Sequence, residues 1–292
     1  MVNRDDSLSK TQIDMTGAMA ILNIGSFVTF VAKVKSHKAG MNKFTYNDTF
    51  GKYSFKPKNS IYFLEDKLEL LDSAEEWFYD KTSKMLYLWT PEGLNPAKYK
   101  EIRGKVQSYA FQITNSSHLV LKNLKLFATT ISATNDVKTN TIVDNLRFDS
   151  LQFEYPSYSK RMLGDISLIK KMKIGVMARK GGRGTFTFYN NTFYGSDGYL
   201  GFVNGYNVTF ENNMFSYNDW SGANTITAAG GTGIFVSRSE NDRYIRNTLY
   251  YNGASAGLQP GRNPVVQLNQ LIGQCTGVIQ HDGAAVQVSY LT

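Results

Sequence analysis

The sequence predicts an all-β chain: a single-stranded right-handed parallel β-helix, or solenoid, preceded by a cap of mixed α and β structure. Three observations predict it. First, TFYNNTFYGSD, Thr187 to Asp197, returns as TFENNMFSYND, Thr209 to Asp219, at a spacing of 22 residues. A fixed period of this kind marks a repeat architecture. Second, each copy holds short runs such as Phe186-Thr187-Phe188 and Val208-Thr209-Phe210, the alternation of a strand with one buried face. Third, Asn, Asp and Gly punctuate those runs where the chain must turn or take a positive φ. The period is too short for a propeller blade and lacks the Leu-x-x-Leu-x-Leu pattern of leucine-rich repeats. It suits one coil of three short strands and three turns, with neighbouring coils about 4.8 Å apart.

Residues 1–105 lie outside the period and are expected to form the N-terminal cap, packed on the solenoid and covering its edge. Within it, Gly17 to Val34 is apolar but broken by Asn23, Gly25, Ser26 and Thr29. That composition suits a buried strand pair, whereas a membrane span needs about 20 mainly apolar residues. Leu64, Leu68 and Leu71 fall on one face of a short amphipathic helix. Trp77-Phe78-Tyr79, a polar turn and Met85 to Trp89 read as a hairpin stopped by Pro91. Trp77, Tyr87 and Trp89 could stack on a sugar or pack the hairpin onto its neighbour.

Residues 106–292 carry the coils. Taking Asn213 as the frame position, Phe210 stands three residues before it and Phe215 two after; Phe188 and Phe193 flank Asn191 in the same way. The frame extends to Leu124, Leu146, Asn247 and Asn269, with steps of 22, 45, 22, 34 and 22 residues along the series. The step of 45 reads as two periods with a poorly matching turn near Leu168. The step of 34 reads as one period with an insertion around WSGANTITAAGGTG. Stacked coils place Asn191, Asn213, Asn247 and Asn269 in an inward ladder, each amide bonding turn backbone that has no regular partner. The terminal run VQVSYLT is strand-like, so the coils are expected to continue beyond Thr292.

Composition fits a Tyr- and Phe-rich β protein, since aromatics reach 13% and glycine outnumbers proline 25 to 6. Cys275 is the only cysteine, which excludes an internal disulfide and a cysteine-based zinc site. With three histidines, His37, His118 and His281, a His-rich metal cluster is not expected. RKGGRGTF lacks the order of a phosphate-binding P-loop. No basic-apolar-small leader opens the chain. Sequons at Asn47, Asn115, Asn190 and Asn207 and the carbohydrate chemistry below point to an extracellular or periplasmic location.

Candidate site residues follow from the frame. Glycoside hydrolysis needs two carboxyl groups, about 5–5.5 Å apart for retention or about 6.5–9.5 Å for inversion. Asp197 and Asp219 stand six residues after Asn191 and Asn213, so they stack on neighbouring coils. Like charges that close raise one pKa, as a general acid requires. Both also suit ordinary turns, where aspartate bonds its own backbone. Asp282 lies on a different strand of its coil, with room for a ligand beside Gly283, Ala284 and Ala285. His281 is titratable near neutral pH, but adjacent strand residues face opposite ways. His281, Gln287, Trp220, Lys170, Lys171 and Lys173 form the expected substrate-binding set, and no metal is expected.

Net charge is +8, and Lys160 to Arg183 holds eight basic residues against Asp165 alone. Such a band attracts an acidic polysaccharide, or it is a solvated edge whose lysines prevent aggregation. A lyase would use it to neutralise a uronate, with calcium as its cofactor. No nucleic-acid-binding motif accompanies it. The expected partner is therefore a polysaccharide or oligosaccharide, and the expected state a monomer without cofactor.

LEDKLELLDSAEEWFYDKTSKMLYLWTPEG, the NN-x-F coils, SAGLQPGRNPVVQLNQLIGQ and IQHDGAAVQV together resemble the right-handed β-helix carbohydrate-active proteins. The resemblance covers most of the chain. It is nearest the glycosidase-like branch that includes bacterial α-fucosidase and xylanase-type enzymes. It implies a glycoside hydrolase with a catalytic aspartate in a long cleft, which Asp282 matches. A second aspartate, in an Arg-Phe-Asp-Gly-like segment a couple of coils later, has no counterpart before Thr292. Two alternatives stand beside this reading: a polysaccharide lyase, and a glycan-binding or adhesin β-helix without catalysis.

Overall fold

The computed structural model describes residues 2–25, 28–47, 61–107, 109–134, 143–156, 185–196, 201–203, 206–219, 233–237, 240–253, 256–277 and 283–288. The described residues are almost wholly β structure. Their only helices are 3₁₀ turns at Asp6–Lys10, Leu68–Leu70 and Pro96–Lys98. The chain divides into two compact units, one built on Met1–Gly104 and the other beginning at Lys105.

The first unit contains β1 (Val2–Arg4), β2 (Met19–Gly25), β3 (Val28–Ser36), β4 (Lys43–Tyr46) and β5 (Ile61–Glu65). They form an antiparallel sheet in the order β1-β4-β3-β2-β5. The apolar run read as a strand pair is thus β2 and β3. Their alternating residues Ala20, Leu22, Ala32 and Val34 join Leu8, Met15, Phe44 and Tyr46 in a core of their own. The hairpin is also present, with β6 (Trp77–Asp80) pairing antiparallel with β7 (Met85–Leu88).

The amphipathic helix expected over Leu64 to Leu71 does not form. Leu64 belongs to β5, opposite Ala20 of β2, and Asp66 takes a left-handed φ of 65° that ends any regular run. Pairing with a buried strand satisfies the backbone of Ile61–Glu65, and only one 3₁₀ turn remains of the predicted helix.

The second unit contains β8 (Tyr109–Thr114), β9 (Ser117–Lys122), β10 (Lys125–Phe127), β11 (Thr130–Thr134), β12 (Asp144–Asp149) and β13 (Gln152–Glu154). It continues with β14 (Phe186–Tyr189), β15 (Thr192–Tyr194), β16 (Gly201–Val203), β17 (Thr209–Glu211), β18 (Met214–Ser216) and β19 (Gly233–Ser237). The last strands are β20 (Arg243–Ile245), β21 (Thr248–Tyr250), β22 (Ala256–Gln259), β23 (Val265–Gln267), β24 (Gln270–Ile272) and β25 (Ala284–Val286).

They pair in parallel throughout. One sheet runs β9-β12-β14-β17-β20-β23, a second β10-β13-β15-β18-β21-β24, and a third β16-β19-β22-β25, with β8 and β11 as a further parallel pair. Equivalent residues lie directly opposite: Phe188 pairs with Phe148 and Phe210, and Phe193 with Phe153 and Phe215. Consecutive strands that contribute one member to each sheet, such as β17, β18 and β19, make up one rung.

The register corrects two expectations. Leu146 pairs with Phe186 inside the first sheet, whereas the residue in line with Asn191 is Leu151, whose N–H meets the Asn191 side chain. Leu146 imitates the frame because Val143 and Phe148 supply the same inward alternation around it. The step from Leu151 to Asn191 is a single rung of 40 residues, not two periods, since β12 pairs directly with β14 and β13 with β15. This step is longer than the 22-residue step from Asn191 to Asn213. The step of 34 is one rung with an insertion, as the sequence suggested.

Segments of equal length, such as 146–156, 186–196, 208–218 and 242–252, carry the first two sheets and the corners around them. Differences in rung length fall outside these segments, between the corner after the second sheet and the next strand of the first.

Candidate functional site

Between the first two sheets every rung turns sharply at one left-handed residue. Ser150, Asn190, Asn212, Arg246 and Leu268 hold this place, with φ between 55° and 57°. Asparagine tolerates that conformation, whereas each other L-residue pays roughly 1–2 kcal/mol for it. The following residue is the ladder position. Asn213 donates from Nδ2 to the Phe188 carbonyl of the preceding rung (3.0 Å), and its Oδ1 accepts the Asn191 N–H (3.0 Å). Asn191, Asn247 and Asn269 repeat the pattern on Phe148, Phe210 and Tyr244. The amides also bond one another at 2.9–3.0 Å. The four asparagines stand in one column, as expected.

A second column, which the sequence reading missed, lines the corner after the second sheet. Asn218 donates to the Phe193 carbonyl, Asn252 to Phe215 and Gln274 to Leu249. Asn218 Oδ1 accepts the Ser196 N–H at 3.0 Å. Its signal was the same spacing as the first column, hidden because Ser196, Asn218, Asn252 and Gln274 are three residue types.

Inside, Phe148, Phe188, Phe210 and Tyr244 stack face to face with centroids 4.8–5.1 Å apart. Phe153, Phe193 and Phe215 form a parallel stack at 4.8 and 5.0 Å. The rung spacing imposes this geometry.

Outside, aromatics form a row on the second sheet and the corner that follows it. Centroids are 5.8 Å apart for Phe127–Tyr155, 5.5 Å for Tyr155–Tyr194, 5.9 Å for Tyr194–Tyr217 and 6.3 Å for Tyr217–Tyr251. Tyr155, Tyr217 and Tyr251 are left-handed, and Gly195 and Gly273 take the same place on their rungs. A Cβ on Gly195 would lie 2.8 Å from the Tyr155 ring, and one on Gly273 2.9 Å from Tyr251. Glycine lets those rings lie against the next rung.

Of the nine site residues expected from sequence, Asp219 and Gln287 are described. Asp219 has a left-handed φ of 54° just after β18. It is 2% exposed, its Oδ1 is shielded from solvent, and its N–H donates to the Ser196 carbonyl at 2.7 Å. Gln287 follows β25, half-buried, its N–H donating to the Leu258 carbonyl. β19 and β25 lie two steps apart with β22 between, so Asp219 and Gln287 belong to non-adjacent rungs. Asp197, Trp220, His281, Asp282, Lys170, Lys171 and Lys173 lie outside the described residues.

Two of the histidines are described. His37 is buried in the first unit, Nδ1 accepting from the Met15 N–H and Nε2 donating to the Met41 carbonyl. His118 meets the Asn145 amide at 2.7 Å. Among the described residues, no group of three His, Cys, Asp or Glu could hold a metal ion, and no helix is long and apolar enough to cross a membrane.

The perturbed carboxylates of this unit tie rungs together. Burial pushes the Asp149 carboxyl up, but hydrogen bonds from Arg147 (2.9 Å) and Ser150 (2.8 Å), with the Lys122 and Arg147 charges, hold it below the usual range. Burial likewise opposes, and the Thr185 and Asn145 N–H groups outweigh it to depress, the Asp144 carboxyl. A depressed folded-state pKa stabilises the fold above the ordinary carboxylate pKa of about 4, and that contribution is lost as pH falls through the folded value. The melting temperature should therefore drop on acidification below about pH 4. In Asp144→Asn/Asp149→Asn the drop should be shallower, as followed by circular dichroism.

Comparison of the chain with protein-family models, curated proteins and solved structures gives no match.

Proposed function

We propose that residues 106–292 form a right-handed parallel β-helix of the carbohydrate-active kind, acting as a glycoside hydrolase on a polysaccharide. The observation that carries this reading is the in-register stacking of equivalent residues on successive parallel rungs. It turns single side chains into rows, and a row with a one-rung repeat is matched by a polymer with a short chemical repeat. The resemblance through LEDKLELLDSAEEW and IQHDGAAVQV supplies the reaction class. Asp282, two residues before β25, is the carboxyl assigned to the chemistry. Asp219 precedes β19, two strand steps away, or about 10 Å along the stack. That already exceeds the inverting separation of about 9.5 Å. Asp219 is thus not assigned as the partner of Asp282. The burial of Asp219 favours a second reading, in which the protein binds glycan without cleaving it.

The test is release of reducing ends from a panel of plant and bacterial polysaccharides by the full-length protein and by Asp282→Asn. Hydrolysis by the parent and a loss of more than about a hundredfold in the variant is the expected result, the scale of general acid–base catalysis. Binding without release selects the second reading. Neither binding nor release overturns both.

A further inference from the structure

The aromatic row on the outside of the second sheet has no part in holding the fold's interior together. Tyr155, Tyr194, Tyr217 and Tyr251 are 48%, 38%, 45% and 41% exposed. The rings nevertheless touch one another in unbroken succession from Phe127 onward, and Tyr250 meets both Tyr217 (5.7 Å) and Tyr251 (4.7 Å). Two of them are seated over glycines that no other residue could replace without a clash. Contiguous exposed aromatics mark interaction surfaces, and rings already fixed lose little freedom on binding.

We propose that this row is a docking surface for a neutral, linear polysaccharide, an inference that rests on the carbohydrate reading above. Three features select that occupant. One ring follows another on successive rungs, with centroids 5.5–6.3 Å apart and the first two contacts edge to face, so an extended polymer can place successive units on successive rings. Every ring after Phe127 carries a hydroxyl. The row therefore offers apolar faces with a polar rim, the complement of a pyranose with its C–H face and its ring of hydroxyls. Charge is sparse as well. Among the described residues of the six strands of this sheet, only Lys125 and Glu154 are charged, on adjacent rungs. Single-stranded nucleic acid also stacks on aromatics, but it requires a basic groove along its backbone, and the described strands of this sheet supply only Lys125. An acidic glycan lacks its counter-charges here for the same reason.

The experiment is native affinity electrophoresis of the full-length chain in gels containing xylan, mixed-linkage β-glucan or starch, at high salt to suppress the attraction of its net positive charge for acidic groups. Wild type should be retarded by at least one of them, and Tyr194→Ala/Tyr217→Ala should bind it about tenfold or more weakly. Tyr194→Phe/Tyr217→Phe keeps the rings and should stay close to wild type, while far-UV circular dichroism verifies that both variants fold. Retardation that is the same in wild type and the alanine variant overturns the row as the docking surface and leaves the carbohydrate reading standing. Absence of retardation and of hydrolysis on every polysaccharide overturns the carbohydrate reading, and the row's assignment with it. A wild-type dimer by sedimentation velocity that the alanine pair converts to monomer overturns the proposal in favour of a second copy of this chain.

Discussion

Asn213→Ala is expected to destabilise the second unit by about 4 kcal/mol, the sum of the buried polar groups it strands. Asn213 is 1% exposed. Its Oδ1 accepts from both the backbone and the side chain of Asn191, and its Nδ2 donates to the Phe188 carbonyl and to Asn247 Oδ1. Alanine takes the amide away from the Asn191 N–H and the Phe188 carbonyl in a buried corner. Each such orphan costs about 1–3 kcal/mol. The substitution also interrupts the column in its middle, so two rung interfaces weaken together, which matters in a stack where each repeat leans only on its neighbours. Asn269→Ala, at the partly exposed end of the column, should cost less. Asn212→Ala, an exposed neighbour whose side chain bonds Asn190, should cost about 1–2 kcal/mol, because alanine must take the left-handed φ of 57°. Urea denaturation measures all three. Equal effects at positions 212 and 213 would mean that the ladder is ornamental.

Phe210→Ala should be of similar size, about 4 kcal/mol, as for other buried aromatics truncated to alanine. Phe210 is 1% exposed, sandwiched between Phe188 and Tyr244 with both centroids 4.8 Å away. The cavity cannot collapse, because closing it would draw rungs together that their backbone hydrogen bonds already hold at the strand spacing. Phe210→Leu fills most of the volume and should cost about 1.5 kcal/mol or less. Thermal and urea unfolding of the two variants gives the comparison. If leucine proves as damaging as alanine, the stack depends on ring geometry rather than on filled volume.

Part of this fold could be read from spacing because identical chemistry recurs at identical intervals: Asn191 and Asn213 announce themselves. Elsewhere the same physics is served by unlike residues. The second column uses Ser, Asn and Gln, and the left-handed corner uses Arg246 and Leu268 as well as asparagine, so no single letter marks either position. Spacing also cannot distinguish an extra rung from an insertion, which is why Leu146 imitates a ladder residue. Leu64, Leu68 and Leu71 fit a helical face, yet long-range pairing with β2 draws Leu64 into β5, and Leu68 is left in a 3₁₀ turn. On the candidate site, the acids were selected by offset from the frame. Offset places a residue on a rung but does not reveal that Asp219 is buried. The tyrosine row escaped notice because Tyr155, Tyr217 and Tyr251 adopt a backbone conformation that sequence patterns assign to glycine and asparagine.

The equal-length segments that carry the first two sheets have a bearing on how such a chain can change over time. Alignment between rungs is settled there, by paired strands and the two amide columns. The arc that leaves the second sheet and returns to the first carries additions as different as those in the 34- and 40-residue steps. Inheritance of shape and acquisition of new surface are thus handled by separate stretches of sequence within every repeat. A lineage built on this plan can lengthen, shorten or exchange its arcs one at a time, trying new ligands while the scaffold is left unedited.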